Sequence, residues 1–171
     1  GRTTLNGEGL QHEDGHSHVL AGTIPNCVSY DPTFAHEVAV IMQHGLKRMV
    51  ERQENVYFYV TLLNENYAMP GLQPGTEEQI IKGMYLLQPA SAKDAKQKLT
   101  VNLLGSGTIL RESMAARQLL EAEWGVGANV WSCPSFNELA RDGQAAERHN
   151  LLHPTDAPLQ SFVEKQLGAH E

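Results

Sequence analysis

The chain has few cysteines, few aromatic residues and fewer basic than acidic side chains. Its 171 residues include two cysteines, 6% aromatic residues, and 13 Lys and Arg against 20 Asp and Glu, which gives a net charge of -7. Because there is no basic excess to neutralise a phosphate backbone, nucleic acid is not expected as a ligand. Cys27 and Cys133 are far apart and form no CxxC pattern, so we expect reduced, small hydrophobic residues rather than a redox pair.

Long apolar runs are also absent. No run approaches the roughly 20 residues that cross a bilayer, and the N-terminus lacks the basic start and apolar stretch of a signal peptide. We therefore expect no membrane association and a cytoplasmic location. The chain begins with Gly1 and has no Met before Met42, and a loop rich in ionisable groups starts within its first residues, so we expect a piece of a longer polypeptide.

The most informative segment is the loop at 6–18, which is rich in glycine, histidine and carboxylates. Glycine permits unusual backbone angles and close approach of a ligand, while histidine titrates near neutral pH and a nearby carboxylate shifts that titration. This composition predicts a site for acid–base chemistry. The residues concerned are Gly7, Gly9, Gly15, His12, His16, His18, Glu8, Glu13 and Asp14.

The same histidines allow two other interpretations. His12, His16 and His18 could bind zinc, with Glu13 or Asp14 as a further ligand, although their spacing fits no helical pair or familiar zinc motif. They could also belong to a solvated loop without chemistry. Composition alone leaves both alternatives open.

Hydrophobic periodicity predicts alternating strands and helices, which is typical of an α/β protein with open, mainly parallel sheets. Asp31 is the predicted N-cap of the first long helix, with Pro32 in its first turn. The second strand is apolar throughout, as expected for a strand covered on both faces. Strands are predicted at 23–30, 56–63, 99–104 and 129–133, and helices at 32–52, 77–87, 110–124 and 136–146.

Two further segments bear on the organisation. Residues 88–97 are small, polar and charged without apolar periodicity, which predicts a linker between a unit at 1–87 and a unit at 98–171.

The turn at Gly105–Gly107 follows a predicted strand, and a glycine turn before a helix is typical of phosphate binding. It lacks the third glycine of a dinucleotide fingerprint and the lysine of a P-loop, so we expect a plain strand-to-helix turn.

Several polar residues on helices are expected to lie at the surface. His36 and His44 fall off the apolar face of the helix at 32–52. Charges at helical spacing near the C-terminus are expected to form a solvated or interface face. These are Arg141, Asp142, Glu147 and Arg148.

Whole strings of the sequence resemble one known family. The string from Gly1 to His16 resembles the signature of the homodimeric bacterial pyruvate dehydrogenase decarboxylases, the thiamine-dependent first component of the pyruvate dehydrogenase complex. Later strings agree in the same order, and the resemblance covers nearly the whole chain. They lie at 29–32, 63–67, 104–107 and 138–143.

The resemblance implies a transketolase-like fold, with 1–87 as the end of the pyrimidine-binding middle domain and 98–171 as the start of the C-terminal domain. For the parent enzyme it implies thiamine diphosphate, Mg²⁺ and a homodimer. It also implies decarboxylation of pyruvate and transfer of the acetyl group to a lipoyl group of the dihydrolipoyl acetyltransferase core. The family's diphosphate and metal motif, and the glutamate that engages the aminopyrimidine, have no match here. No cofactor-binding or metal residue is therefore assigned, and the isolated segment is expected to be inactive.

The resemblance also assigns candidate catalytic residues. His12 aligns with the family histidine that faces the reacting atoms, where the cofactor supplies the chemistry and the protein moves protons. Glu8 is the expected partner, since its charge would favour the protonated imidazole. Glu13, Asp14 and His16 are expected to shape the loop.

Where transketolases of sugar phosphates have an arginine, this chain has Asn64-Glu65-Asn66. A carboxylate there would repel a phosphate and would favour a small 2-oxo acid. Two alternatives remain, namely a transketolase-like enzyme for another 2-oxo acid or ketose, and a non-catalytic binding module of the same fold. Thiamine diphosphate binding would separate the last from the others.

Overall fold

The computed structural model describes residues 12, 14–91 and 99–168. In this part of the chain, no helix has the length and apolar character needed to span a membrane. The strands are β1 (Cys27–Tyr30), β2 (Tyr57–Val60), β3 (Tyr85–Gln88), β4 (Thr100–Gly105) and β5 (Gly127–Ser132). The helices are α1 (Ser17–Gly22), α2 (Ala35–Leu46), α3 (Glu77–Lys82), α4 (Gly107–Leu119), α5 (Phe136–Leu152) and α6 (Phe162–Gly168).

The strands form two sheets. In the first, β1 and β2 pair in parallel, with Tyr30 opposite Val60. In the second, β5 is central, with β4 parallel on one side and β3 antiparallel on the other. The predicted α/β class is confirmed, and the strands predicted at 56–63 and 99–104 lie in different sheets. The second sheet is mixed rather than mainly parallel.

The first long helix begins later than predicted. Phe34 occupies the N-cap position and α2 starts at Ala35, three residues after Pro32. The Glu37 carboxylate satisfies the helix start by accepting the backbone N–H of Phe34 at 3.0 Å. Asp31 is therefore not the N-cap, because its carboxylate makes other contacts.

The prediction of one helix over 77–87 is wrong. The helix α3 ends at Lys82, and Gly83 takes the left-handed conformation with φ of 104°. Glycine is the usual residue at this position because it has no Cβ to clash. The chain then enters β3, whose pairing with β5 places it in the second sheet.

This pairing bears on the predicted division of the chain. The second sheet already includes Tyr85, which lies before the expected linker at 88–97 and the expected unit at 98–171. The strand β3 therefore joins the second sheet before the expected linker, while the domain bounds themselves stay a prediction. Most of the expected linker, residues 92–97, lies outside the described residues.

The prediction that the strand at 56–63 is covered on both faces is also wrong for the described part of the chain. Tyr57 remains 44% exposed, and its neighbours in β2 are only partly buried. The uninterrupted apolar run of this strand therefore does not correspond to burial on both faces in the described part of the chain.

The main hydrophobic core joins both sheets. Val28 and Tyr30 of the first sheet belong to the same buried cluster as Tyr85 and Val130 of the second. A second cluster contains Cys133, and both cysteines are free and buried, as predicted. Burial raises the pKa of the Cys133 thiol to about 12, so this thiol is unreactive at neutral pH.

Candidate functional site

A cavity of about 390 Å³ lies where the carboxyl ends of strands from both sheets meet. Asp31 follows β1, Ser106 follows β4, and Asn137 lies in the first turn of α5, just after β5. All three line this cavity, together with His18 from α1. Ligands of open α/β sheets bind outside the carboxyl ends of the strands, so this is the expected place for a site.

A second cavity, of about 380 Å³, lies at the carboxyl end of β2. His12, Asp14, Tyr59 and Thr61 contribute to its wall. Two described residues of the loop predicted to carry acid–base chemistry, His12 and Asp14, therefore lie beside the end of this strand. His12 is exposed there, and Glu8 lies outside the described residues, so their pairing stays a prediction.

Asp14 attaches the loop to the fold. Its carboxylate accepts the backbone N–H of Ser17 at 2.9 Å, which satisfies the first turn of α1. It also accepts the Tyr59 hydroxyl at 3.2 Å. This agrees with the expectation that Asp14 shapes the loop, while His16 is exposed and Glu13 lies outside the described residues.

A chain of hydrogen bonds connects the loop with both sheets. The Thr61 hydroxyl donates to Asp31 Oδ1 at 2.6 Å, and the Ser106 hydroxyl donates to Asp31 Oδ2 at 2.9 Å. His18 Nε2 lies 3.0 Å from Thr61 Oγ1. The Asp31 side chain, only 7% exposed, therefore links the strand ends at the cavity wall.

The turn at Gly105–Gly107 is a strand-to-helix connection, as predicted. Gly107 has φ of 53°, and a Cβ built on it would lie 2.5 Å from Asp31 Oδ2. Only glycine allows this approach. The close contact with the Asp31 carboxylate explains why residue 107 is a glycine, and this explanation needs no bound phosphate.

A second buried carboxylate, Glu37 of α2, joins the start of that helix to the second sheet and lines neither cavity. It accepts the backbone N–H of Thr33 at 2.6 Å, the Tyr85 hydroxyl at 2.8 Å and the Ser132 hydroxyl at 2.5 Å. Burial, followed by the charge of Glu37, raises the pKa of Tyr85, so this phenol remains a donor at neutral pH. Sequence reasoning missed Glu37, because only the fold brings its partners together.

The expectation that His36 and His44 lie at the surface is wrong. His36 is half-buried, with Nδ1 2.9 Å from the Pro70 carbonyl oxygen and Nε2 3.0 Å from the Tyr85 hydroxyl. His44 packs edge-on against the Phe58 ring at 6.2 Å between centroids. Burial, with the charge of Arg48 as the next cause, lowers the pKa of His44.

The charge of Glu65 is compensated in the structure. Arg111 Nη1 lies 2.8 Å from the Glu65 carboxylate, and its guanidinium lies 4.4 Å from the centre of the Tyr67 ring. The expectation that this carboxylate alone would repel a phosphate is therefore not supported. The arginine beside Glu65 belongs to α4 and not to the segment that follows β2.

The charged residues of α5 divide into two groups. Arg141 pairs with Glu138 at 2.8 Å and donates to the Cys27 carbonyl at 2.7 Å, which attaches α5 to β1. The Asp142 carboxylate accepts the backbone N–H of Phe162 at 2.5 Å and so holds the start of α6. Asp142, Glu147 and Arg148 are exposed, as expected for a solvated face, and Arg141 is partly buried.

The zinc interpretation receives no support from the described part of the chain. Among residues 12, 14–91 and 99–168, no group of three or more His, Cys, Asp or Glu side chains could hold a metal ion. His12 and His18 line different cavities.

Solved structures define the class. The chain matches a transketolase variant from Pichia stipitis with a TM-score of 0.56 and 18% identity, over 84% of this chain and 19% of that one. A second Pichia stipitis transketolase variant, in complex with fructose 6-phosphate, matches with a TM-score of 0.56 and 18% identity over 78% and 18%. The fold is therefore transketolase-like.

Two family models match successive parts of the chain. "Pyruvate dehydrogenase E1 component middle domain" covers residues 1–70, and "Transketolase-like TK C-terminal domain" covers residues 83–167. Three relatives carry the name pyruvate dehydrogenase E1 component. That of Pseudomonas aeruginosa is 60% identical over 98% of this chain, that of Cupriavidus necator 58% over 98%, and that of Escherichia coli K12 57% over 95%. The chain belongs to the pyruvate dehydrogenase E1 component family, and it spans 18–19% of the length of these relatives.

Proposed function

We propose that this chain is part of a thiamine diphosphate-dependent pyruvate dehydrogenase (acetyl-transferring). In the parent enzyme, pyruvate would be decarboxylated oxidatively and the acetyl group passed to a lipoyl group of the dihydrolipoyl acetyltransferase core. The observation that carries the proposal is 60% identity over 98% of the chain to a protein named pyruvate dehydrogenase E1 component. The placement of His12 and His18 at the strand ends supports it.

The described residues do not fit the anchoring end of the cofactor. They contain no group of side chains able to hold Mg²⁺, and the sequence has no match to the family's diphosphate motif. We therefore propose that thiamine diphosphate and Mg²⁺ are anchored by other parts of the parent. This chain would supply part of the wall around the reacting atoms, in a homodimer.

The proposed contribution of this chain is proton transfer and orientation. His12 lies at the wall of a cavity beside the carboxyl end of β2, where it can meet a small molecule. An imidazole is suited to giving and taking a proton near neutral pH. We propose His12 as the catalytic acid–base residue, with Glu8 as the partner that favours its protonated form.

The division into domains is proposed with a revised boundary. The two matched family models leave residues 71–82 between them, and β3 already belongs to the second sheet. We propose that the middle domain ends within 71–82 and that the C-terminal domain starts near Gly83. Residues 88–97 then connect β3 to β4 inside the second domain.

The test uses the full-length enzyme that contains this chain. Pyruvate-dependent reduction of a dye, together with a thermal shift on addition of thiamine diphosphate and Mg²⁺, is the expected result. The 171-residue chain alone is the control and should show neither. A thermal shift with turnover of ketose phosphates but not of pyruvate would favour the transketolase-like alternative. The absence of any thermal shift would favour a non-catalytic module.

A further inference from the structure

The direction of the hydrogen bonds around Thr61 fixes the protonation pattern of His18. The Thr61 hydroxyl has one proton, and at 2.6 Å from Asp31 Oδ1 that proton is donated to the carboxylate. The Thr61 oxygen can then only accept from His18, whose Nε2 lies 3.0 Å away. Nε2 of His18 therefore carries a hydrogen, and Nδ1 is the atom at which this imidazole gains or loses a proton.

The ring and the backbone of His18 are both held. The ring meets the edge of Tyr59 at 5.4 Å between centroids, and the Asn137 side-chain amide donates to the His18 carbonyl at 2.7 Å. His18 lines the cavity between the sheets, whereas Thr61 lines the cavity that also contains His12. The imidazole thus stands between the two cavities in a fixed orientation.

We propose that Asp31 and Thr61 are positioning residues that hold His18 as a second acid–base side chain of the site. The arrangement of carboxylate, hydroxyl and imidazole follows the general logic in which a base is oriented by a third group. The proposal rests on the proposed function, since it places His18 beside the substrate of that reaction. The loop composition named His18 only as one of several ionisable residues, and its contacts with Thr61 and Asn137 single it out.

A matched pair of substitutions in the full-length enzyme tests this. Thr61→Val removes the hydroxyl that joins Asp31 to His18. Thr33→Val is the control, because Thr33 is also a buried threonine whose hydroxyl donates one bond, to the Gly107 carbonyl at 2.8 Å, and it lines neither cavity.

We expect Thr61→Val to lower kcat with pyruvate on the order of 10-fold, the scale of one lost hydrogen bond, with little change in KM. Thr61→Ser should restore kcat to within about twofold, and Thr33→Val should stay within about twofold although it also removes a buried hydrogen bond. The losses of kcat caused by His18→Gln and Thr61→Val should not be additive, because both substitutions disrupt the contact between His18 and Thr61. Equal losses for Thr61→Val and Thr33→Val, or additive effects with His18→Gln, would overturn the proposal.

A second measurement does not depend on turnover. Diethyl pyrocarbonate modifies unprotonated imidazole nitrogens, and peptide mapping of the full-length enzyme reports the rate at His18. Without Thr61 as the acceptor, the hydrogen of His18 can move from Nε2 to Nδ1 and the ring is no longer held, so Nε2 becomes reactive. We therefore expect faster modification in Thr61→Val than in the wild type or Thr33→Val. An unchanged rate contradicts the proposal. If the wild type fails to turn over pyruvate, the proposed function fails, and the modification rate alone decides whether Thr61 holds His18.

Discussion

At the scale of single residues, two buried carboxylates hold this part of the molecule together. Asp31 accepts hydroxyl protons from Thr61 and Ser106, and Glu37 accepts backbone donors before α2 and hydroxyl donors from the second sheet. Such groups are costly when a partner is removed, because the remaining polar atoms stay buried and unpaired. The role of Glu37 can therefore be tested by measuring the free energy of unfolding of variants.

Glu37→Leu should lower the free energy of unfolding of the chain by about 3 kcal/mol or more, since several buried donors lose their acceptor. Tyr85→Phe is the matched change, because it removes only one donor to Glu37, and it should cost about 1 kcal/mol. Urea denaturation followed by the fluorescence of the buried Trp131 measures both. A smaller loss for Glu37→Leu than for Tyr85→Phe would show that the Glu37 network does not stabilise the fold.

In the full-length enzyme, His12→Ala should reduce kcat with pyruvate by on the order of 10²-fold or more, the usual scale for a positioned acid–base group. Affinity for thiamine diphosphate should barely change, because the cofactor's anchors are proposed to lie elsewhere in the parent. His153→Ala is the control, since this exposed imidazole directly follows α5 as its C-cap residue and lines neither cavity. Equal, small effects of the two substitutions would make the loop at 6–18 structural.

The location of His12 at a cavity agrees with the sequence, because the loop around it combines glycines, histidines and carboxylates within 13 residues. The contact of Asp31 with Thr61 and Ser106 could not. These partners are 30 and 75 residues away along the chain, and Asp31 also stands where a helix cap is expected. A local sequence pattern does not reveal that a carboxylate will accept hydrogen bonds from residues distant in the sequence.

At the scale of elements, the start of α4 depends on one glycine. Gly107→Ala should destabilise the chain by more than 1 kcal/mol, because φ is 53° and the added Cβ would meet Asp31 Oδ2. Gly143→Ala in the middle of α5 is the control, as nothing lies within 4 Å of its Cβ position, and it should stabilise the chain by about 0.5–1 kcal/mol. Thermal unfolding monitored by circular dichroism distinguishes the two signs, and a neutral Gly107→Ala would mean that the turn relaxes.

The segment at 77–88 shows where element prediction fails. Ile80, Met84 and Leu87 have helical spacing, yet Tyr85 and Leu87 also alternate as in a strand, and both are buried. Short apolar runs do not distinguish the two periods. Gly83 was the signal that could have decided the matter, because a glycine after Lys82 is typical of a helix C-terminus. The longer elements α4 and α5 were predicted correctly because their periodicity continues for several turns.

At the scale of the whole molecule, the two sheets are joined more closely than the predicted linker implies. One hydrophobic cluster includes side chains of both sheets, and backbone bonds cross between them, such as Asp31 N–H to the Pro134 carbonyl at 2.7 Å. The strand β3, which precedes residues 88–97, is an integral member of the second sheet. If the chain is cut between β3 and β4, the contacts that join the two resulting pieces therefore remain.

Limited trypsin digestion of the chain should cut first within 88–97, where the composition predicts a linker. Lys93 and Lys96 lie in this segment, and Lys98 follows it directly. The two pieces should nevertheless remain together, because β3 stays paired with β5 and Met84 stays packed with Trp131 in one buried cluster. Size-exclusion chromatography of the nicked chain should give one peak at the position of the intact chain in native buffer, and two peaks in concentrated urea. Cleavage that begins inside 32–63 would contradict the predicted linker. Separation in native buffer would show that β3 and the shared core do not hold the two sheets together.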